Sequence, residues 1–89
     1  MYNYDKVKDV LNDRVLVIAV EELCELSQQL TKTLRGKMNK ESLLEEYADA
    51  LIVMEWIKKY CNLTDEEIKF WLDKKNSRNK KKIEEGTFK

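Results

Sequence analysis

The stretch from residue 43 to residue 61, LLEEYADALIVMEWIKKYC, constrains the fold of this chain more than any other. At about 100° per residue, its apolar side chains cover more than half of a helical wheel, which is typical of a helix buried on most sides. Glu46 and Asp49 nevertheless fall inside the apolar sector. The polar face is formed by other residues, such as Glu45 and Lys59. The stretch therefore predicts a central helix that carries two carboxylates into packed surroundings.

These two carboxylates have no local counter-ion. No Lys or Arg stands three or four positions from Glu46 or Asp49, where a salt bridge along a helix would form. Glu55 differs, because Lys58 and Lys59 stand at those offsets. A carboxylate without compensation in apolar surroundings is destabilising or takes up a proton. We therefore expect a bound cation near Glu46 and Asp49.

Length and composition predict one all-α domain covering residues 1–89. The 89 residues include no Pro and only two Gly, and long runs of good helix formers leave little material for strands. We expect a small antiparallel bundle of about four helices. A single chain of this size buries a modest share of its surface, so homo-oligomerisation, as a dimer or a dimer of dimers, should complete the bundle.

Several chemical classes are excluded by the residue inventory. The chain has no His, which removes the commonest general base and the nucleophile pairs that depend on it. Cys24 and Cys61 lack metal-like spacing, so we expect reduced, buried thiols. No apolar run has the length of a membrane span and the N-terminus is unlike a signal peptide, which predicts a cytoplasmic protein without a membrane partner. The net charge of zero predicts little, and nucleic acid is not an expected partner.

A second acidic stretch precedes the central helix. Residues 1–13 should form a short helix or an arm, and residues 14–34 an amphipathic helix that Gly36 ends. Glu22 and Glu25 border its apolar stripe and lack a base at helical offsets, whereas Glu21 faces away. The short linker that follows predicts a helical hairpin over residues 14–61, with the two acidic stretches face to face.

The C-terminal part predicts a basic helix over residues 64–85. Thr64 and Glu67 have the spacing of a capping box, and Ile68, Trp71 and Leu72 begin an inner stripe. Continuing that spacing brings cationic and amide side chains onto the same face, namely Lys75, Arg78 and Asn79.

Two carboxylates on each of two facing helices make a cluster of hard oxygen donors. Such donors, without His or Cys, suit Mg²⁺ and also Mn²⁺. Magnesium commonly bridges substrate phosphates, and the segment from Lys75 to Lys82 could meet the remaining phosphate oxygens. The pattern therefore predicts a polyphosphate substrate.

Residues 21–25, EELCE, and residues 46–49, EYAD, resemble the paired EExxE and ExxD motifs of MazG-like all-α nucleoside triphosphate pyrophosphohydrolases. The segment around Lys75 and Asn79 is similar to the phosphate-contacting segment of that family. The resemblance implies metal ligands, phosphate-binding residues and a carboxylate that contacts water. Magnesium would be held by Glu22, Glu25, Glu46 and Asp49, and the phosphates by Lys75, Arg78 and Asn79. Glu21 would either support the metal ligands or contact water.

The reaction that this resemblance implies is cleavage of a nucleoside triphosphate between the α and β phosphates, with metal-activated water as nucleophile. The catalytic set would comprise Glu21 with the four metal ligands, and the role would be removal of unwanted nucleotides. The base and sugar preference does not follow, since the base-binding residues of some members have no counterpart here. Two alternatives remain: a non-catalytic helical oligomerisation or interaction module with a basic tail, and a family member without turnover.

Overall fold

A computed structural model describes residues 4–87 and contains four helices, with no strand in that range. They are α1 (Tyr4–Leu11), α2 (Arg14–Leu34), α3 (Lys40–Tyr60) and α4 (Asp65–Glu84). The all-α prediction is confirmed, and the N-terminal segment contains a helix. Tyr2, in the predicted N-terminal segment, and residues 88–89 lie outside the described residues. None of the four helices has the length and apolar composition needed to cross a bilayer.

A tight turn reverses the chain between α2 and α3. Gly36 adopts a φ of 74°, and the N–H of Lys37 donates to the carbonyl of Lys32 over 2.9 Å, which closes the end of α2. Asn39 then accepts the N–H of Ser42 at its Oδ1 over 3.0 Å and begins α3. These local bonds make α2 and α3 an antiparallel hairpin.

The start of α4 is fixed in the same local way. Thr64 Oγ1 accepts the N–H of Glu67 over 3.1 Å, and Glu67 Oε1 accepts the N–H of Thr64 over 3.0 Å. The predicted capping box is therefore confirmed. Hydrogen bonds from Thr64 hold the pKa of Glu67 below its ordinary value.

The core lies mainly between α2 and α3. Val15 and Ala19 of α2 are buried, as are Ala50 and Val53 of α3. Val7 of α1 is also buried. These side chains are small, so the two hairpin helices approach closely along the section that carries the acidic residues.

One side of α3 remains about half exposed in the part of the chain that the structure describes. Leu44, Tyr47, Leu51 and Met54, here called the α3 stripe, are 58, 55, 54 and 53% exposed. Their spacing of three, four and three residues places them on one face of the helix. The sequence predicts a helix buried on most sides, but in the described part of the chain α3 packs mainly against α2. The radius of gyration is 16.3 Å, whereas a compact domain of this length has about 12 Å. The extended shape and this stripe point to oligomerisation.

Helix α4 extends away from the hairpin. All of its residues are described and none is buried, and it forms no extended packing contact with α1, α2 or α3. An ion pair between Lys58 and Asp65 joins its first turn to the end of α3. The prediction that Trp71 and Leu72 lie on an inner, core-facing stripe is thus wrong for the single chain, because both side chains are exposed.

The prediction of buried thiols is also wrong. Cys24 and Cys61 are both free and exposed. Cys24 lies on the outer side of α2, and Cys61 follows the last residue of α3, beyond the packed part of the hairpin. An apolar residue type does not by itself decide which side of a two-helix hairpin is covered.

Candidate metal centre

Three carboxylates from the two hairpin helices meet at one point. Glu22 and Glu25 stand one turn apart on α2, and Glu46 stands opposite them on α3. Each offers one oxygen, and the three oxygens lie within 4.8 Å of one another. The expected approach of the two acidic stretches is therefore observed. We call these three residues the carboxylate triad.

Asp49 and Glu21 are placed differently. Asp49 does not belong to the carboxylate triad, but its carboxyl group lies close enough to that of Glu22 for a hydrogen bond. Glu46 lies similarly close to Glu25 across the hairpin. Glu21 is exposed and does not belong to the triad.

The triad has no basic partner in the described part of the chain. No Lys or Arg nitrogen among residues 4–87 lies within 4.0 Å of a carboxylate oxygen of Glu22, Glu25, Glu46 or Asp49. Glu22 Oε2 and Glu46 Oε2 are buried and have no hydrogen-bond partner among those residues. Glu55, by contrast, lies 4.0 Å from Lys58 Nζ, as its sequence neighbours predict. The cluster therefore concentrates negative charge without compensation.

The uncompensated charge raises the proton affinity of the site. Burial raises the pKa of Glu22 above its ordinary value of 4.5, and the charges of Glu25 and Asp49 raise it further. Burial also raises the pKa of Glu46, followed by the hydrogen bond with Glu25. A carboxylate that binds protons more tightly for these reasons should also bind a cation. Both a proton and a cation reduce the repulsion between the neighbouring negative charges.

The raised pKa values predict how the stability of the metal-free protein depends on pH. The folded state binds protons at Glu22 and Glu46 more tightly than the unfolded chain does. Their stabilising contribution is therefore complete below the ordinary pKa of 4.5 and is lost as pH rises through the raised values. The measurement is the free energy of unfolding in urea, in the presence of a chelator, from pH 4.5 to neutral pH.

The matched control is Glu46→Gln, which lacks one of the two titrating groups. Subtracting its profile removes the contribution of Glu67, whose lowered pKa acts in the opposite direction. The wild-type protein should lose stability relative to Glu46→Gln as pH rises. Parallel profiles would show that the triad does not destabilise the metal-free fold.

The donor set fits a hard divalent cation. All donors are carboxylate oxygens, which are the ligands that Mg²⁺ and Mn²⁺ prefer. Ligands at about 2.1 Å on opposite sides of one ion lie about 4.2 Å apart. The 4.8 Å limit of the triad is close to this span, and Glu22 and Glu46 each have one oxygen without a hydrogen-bond partner among the described residues. The triad could therefore hold a metal ion.

A small cavity adjoins the carboxylates. It has a volume of about 190 Å³ and is lined by Ile18, Glu22, Asp49, Ile52, Val53 and Trp56. Trp56 follows Asp49 by seven residues, which returns it to the same side of α3, so helical phase is the sequence signal for its place beside these carboxylates.

The cationic residues stand apart from the triad. Lys75 and Arg78 are exposed and Asn79 is half-buried, all on α4. Because α4 does not pack on the hairpin, a single chain does not bring these residues together with the carboxylates.

The four-helix architecture and the carboxylate triad are the features that bear on function. Comparisons of the chain with family models, curated proteins and solved structures find no match. A functional assignment therefore rests on the chemistry of the site.

Proposed function

We propose that the chain is a Mg²⁺-dependent nucleoside triphosphate pyrophosphohydrolase of the MazG-like type. It would convert a nucleoside or deoxynucleoside triphosphate into the monophosphate and pyrophosphate, as a means of removing unwanted nucleotides. The observation that carries the proposal is the carboxylate triad. Its three carboxylate oxygens come from facing helices and lie within 4.8 Å of one another, and no triad residue forms an ion pair with a described residue. The EELCE motif contains Glu22 and Glu25 and the EYAD motif contains Glu46, so the resemblance supports the same assignment.

The residues of the hairpin would divide two tasks. Glu22, Glu25 and Glu46 would hold the ion together with Asp49, and Glu21 would contact water at the exposed border. A bound Mg²⁺ or Mn²⁺ lowers the pKa of water and neutralises charge on phosphoryl oxygens. In this reaction the oxygen of a water would bond to the α phosphorus, the bond from that phosphorus to the bridging oxygen of pyrophosphate would break, and a carboxylate of the hairpin would accept the proton.

The phosphate-binding residues require a second chain in this proposal. Lys75, Arg78 and Asn79 lie on α4, which stands away from its own hairpin. The basic segment of α4 and the acidic side of the hairpin carry opposite charges, which favours association between copies. We therefore propose a homo-oligomer, a dimer or a dimer of dimers, in which α4 of one copy holds the outer phosphates at the triad of another.

A second candidate function is a non-catalytic interaction module with a basic tail. The observation that favours it is the exposure of α4, where Phe70 and Trp71 pack edge-to-face at 5.6 Å and remain open to solvent. A helix of this kind could bind a partner without any reaction at the triad.

Product analysis separates these functions. The common ribo- and deoxynucleoside triphosphates are incubated with the protein and Mg²⁺, and pyrophosphate and orthophosphate are measured separately. We expect pyrophosphate with the monophosphate, and Lys75→Ala should raise KM without changing the products. Orthophosphate with the diphosphate would mean attack at the γ phosphorus and would contradict the proposal.

An absence of product from every nucleotide leaves two outcomes to distinguish. If Mg²⁺ still stabilises the fold, the chain is a metal-binding relative without turnover. If Mg²⁺ has no effect on stability, the interaction module is favoured.

A further inference from the structure

We propose that α4 binds single-stranded nucleic acid along one face, with cationic side chains on the phosphodiester backbone and aromatic rings on the bases. This inference goes beyond the proposed function, since it concerns a polymer and not the triphosphate at the triad. It also replaces the expectation, drawn from a net charge of zero, that nucleic acid is not a partner. The zero net charge conceals a segregated chain, because residues 74–82 hold six cations and no acid.

Two neighbouring rows of side chains form this face of α4. Phe70, Lys74 and Lys81 share one row, because residues four and eleven positions apart return to nearly the same side of a helix. The second row begins one residue later and consists of Trp71, Lys75, Arg78 and Lys82. We call these seven residues the basic face. From Phe70 to Lys82 it extends over about 18 Å, at about 1.5 Å per residue.

The charges of the basic face are available to a ligand. All seven side chains are exposed. Asp73, the acid within residues 70–82, lies on another side of α4 and pairs with Lys69 over 2.6 Å. Lys81 Nζ lies 4.0 Å from Glu85 Oε1, which is at the limit of an ion pair. A ligand with a row of negative charges would match this face, and the phosphodiester backbone of a nucleic acid carries such a row.

The two aromatic rings favour nucleic acid over other polyanions. Phe70 and Trp71 are each more than half exposed, and their ring centres lie 5.6 Å apart in an edge-to-face pair. Lys74 Nζ lies 4.9 Å from the centre of the Trp71 ring, so rings and cations share one patch. Unpaired bases stack on exposed rings beside cations, whereas the bases of a duplex are already stacked on one another. The basic face therefore fits a single strand.

A membrane surface fits this helix less well. A helix that lies in the interface of a bilayer gathers its apolar residues on one side and its cations on the other. In α4 the rings of Phe70 and Trp71 stand among the cations, whereas Leu72 and Ile83 lie outside the basic face. The division of the apolar residues favours a nucleic acid as the ligand.

The test is fluorescence anisotropy with a labelled single-stranded oligothymidine of about 20 nucleotides, which exceeds the site size of about 4–16 nucleotides typical of single-strand-binding domains. The buffer contains a chelator and no nucleoside triphosphate, so the result does not depend on the triad. The five cations of the basic face should give log affinity a slope of about −3.5 against log salt. The affinity should thus fall about 100-fold between about 50 and about 200 mM salt.

Charge reversal tests the place of the contact. A protein with Lys74→Glu and Lys81→Glu loses two cations of the basic face, and its salt slope should fall by about 1.4. The matched control carries Lys69→Glu and Lys80→Glu, which change the net charge equally on another side of α4. The control should keep the wild-type slope. Equal slopes in the two double variants would overturn the assignment to the basic face.

Replacement of a ring tests stacking. Phe70→Ala should weaken the binding of oligothymidine by about 5-fold or more, the loss expected for one stacked base. The control is Ile83→Ala, which shortens an exposed apolar side chain outside the basic face and should match the wild-type protein. An unchanged affinity in Phe70→Ala would overturn the contact with bases.

The wild-type protein alone also provides outcomes that would overturn the inference. They are absence of binding at low salt, equal affinity for oligothymidine and for inorganic polyphosphate, which has no bases, and tighter binding to phosphatidylserine vesicles than to oligothymidine. The last outcome would identify a membrane surface as the partner. All three leave the proposed function intact, because product analysis tests that function separately.

Discussion

Glu46→Gln should lower Mg²⁺-dependent nucleotide hydrolysis by at least about 100-fold, since even residues that only support metal ligands commonly contribute 10- to 100-fold. Glu46 supplies the α3 oxygen of the triad, and the amide removes its negative charge at nearly constant size. Steady-state kinetics with the preferred nucleotide measure the effect. The matched control is Glu45→Gln, an exposed neighbour outside the triad, which should retain activity.

Stability distinguishes loss of the site from loss of the fold. At neutral pH without metal, Glu46→Gln should be more stable than the wild-type protein, because the charge that repels Glu25 and Asp49 is gone. The variant should also gain much less stability from Mg²⁺. If Glu22→Gln, Glu25→Gln, Glu46→Gln and Asp49→Asn each bind Mg²⁺ as the wild-type protein does, the proposed ligand set is wrong.

Leu51→Lys should convert the protein from an oligomer into a monomer. Leu51 lies within the α3 stripe, where a second copy would bury it, and a lysine there would place a charge in an apolar contact. Sedimentation should show the mass falling to that of one chain, 10.7 kDa. Activity should fall as well if α4 of another copy completes the phosphate site.

The control for this change is Leu34→Lys, which lies on α2 outside the stripe and is 88% exposed. It should keep the wild-type mass and activity. A wild-type protein that sediments as a stable monomer at micromolar concentration would contradict the proposed assembly. The same holds for a Leu51→Lys protein that keeps an oligomeric mass.

The helix limits could be predicted because short-range bonds set them. Gly36 closes α2 with a left-handed conformation, Asn39 begins α3, and Thr64 with Glu67 begins α4. Each of these signals acts over fewer than about six residues, so it is visible in the sequence. The approach of the two acidic stretches follows in turn, since a short linker forces neighbouring helices to run antiparallel.

Longer-range contacts could not be predicted in the same way. The direction of α4 depends on what Trp71 and Leu72 pack against, and residues 4–87 of one chain do not bury either side chain. The exposure of Cys24 depends on which side of α2 meets α3. The cavity at Trp56 forms only where residues from two helices meet, so helical phase places Trp56 near Asp49 but does not reveal the space between them.

The most direct test of the account is calorimetric titration of the wild-type protein with Mg²⁺ at neutral pH and at pH 4.5, the ordinary pKa of Glu22 and Glu46. Binding should be weaker at the lower pH, because protons compete with the ion for these two carboxylates, whose pKa values are raised. Free Mg²⁺ at 100 times its Kd should stabilise the fold by about 2.7 kcal/mol at neutral pH. Absence of binding heat at neutral pH, with an unfolding midpoint that millimolar Mg²⁺ leaves unchanged, would contradict the metal centre.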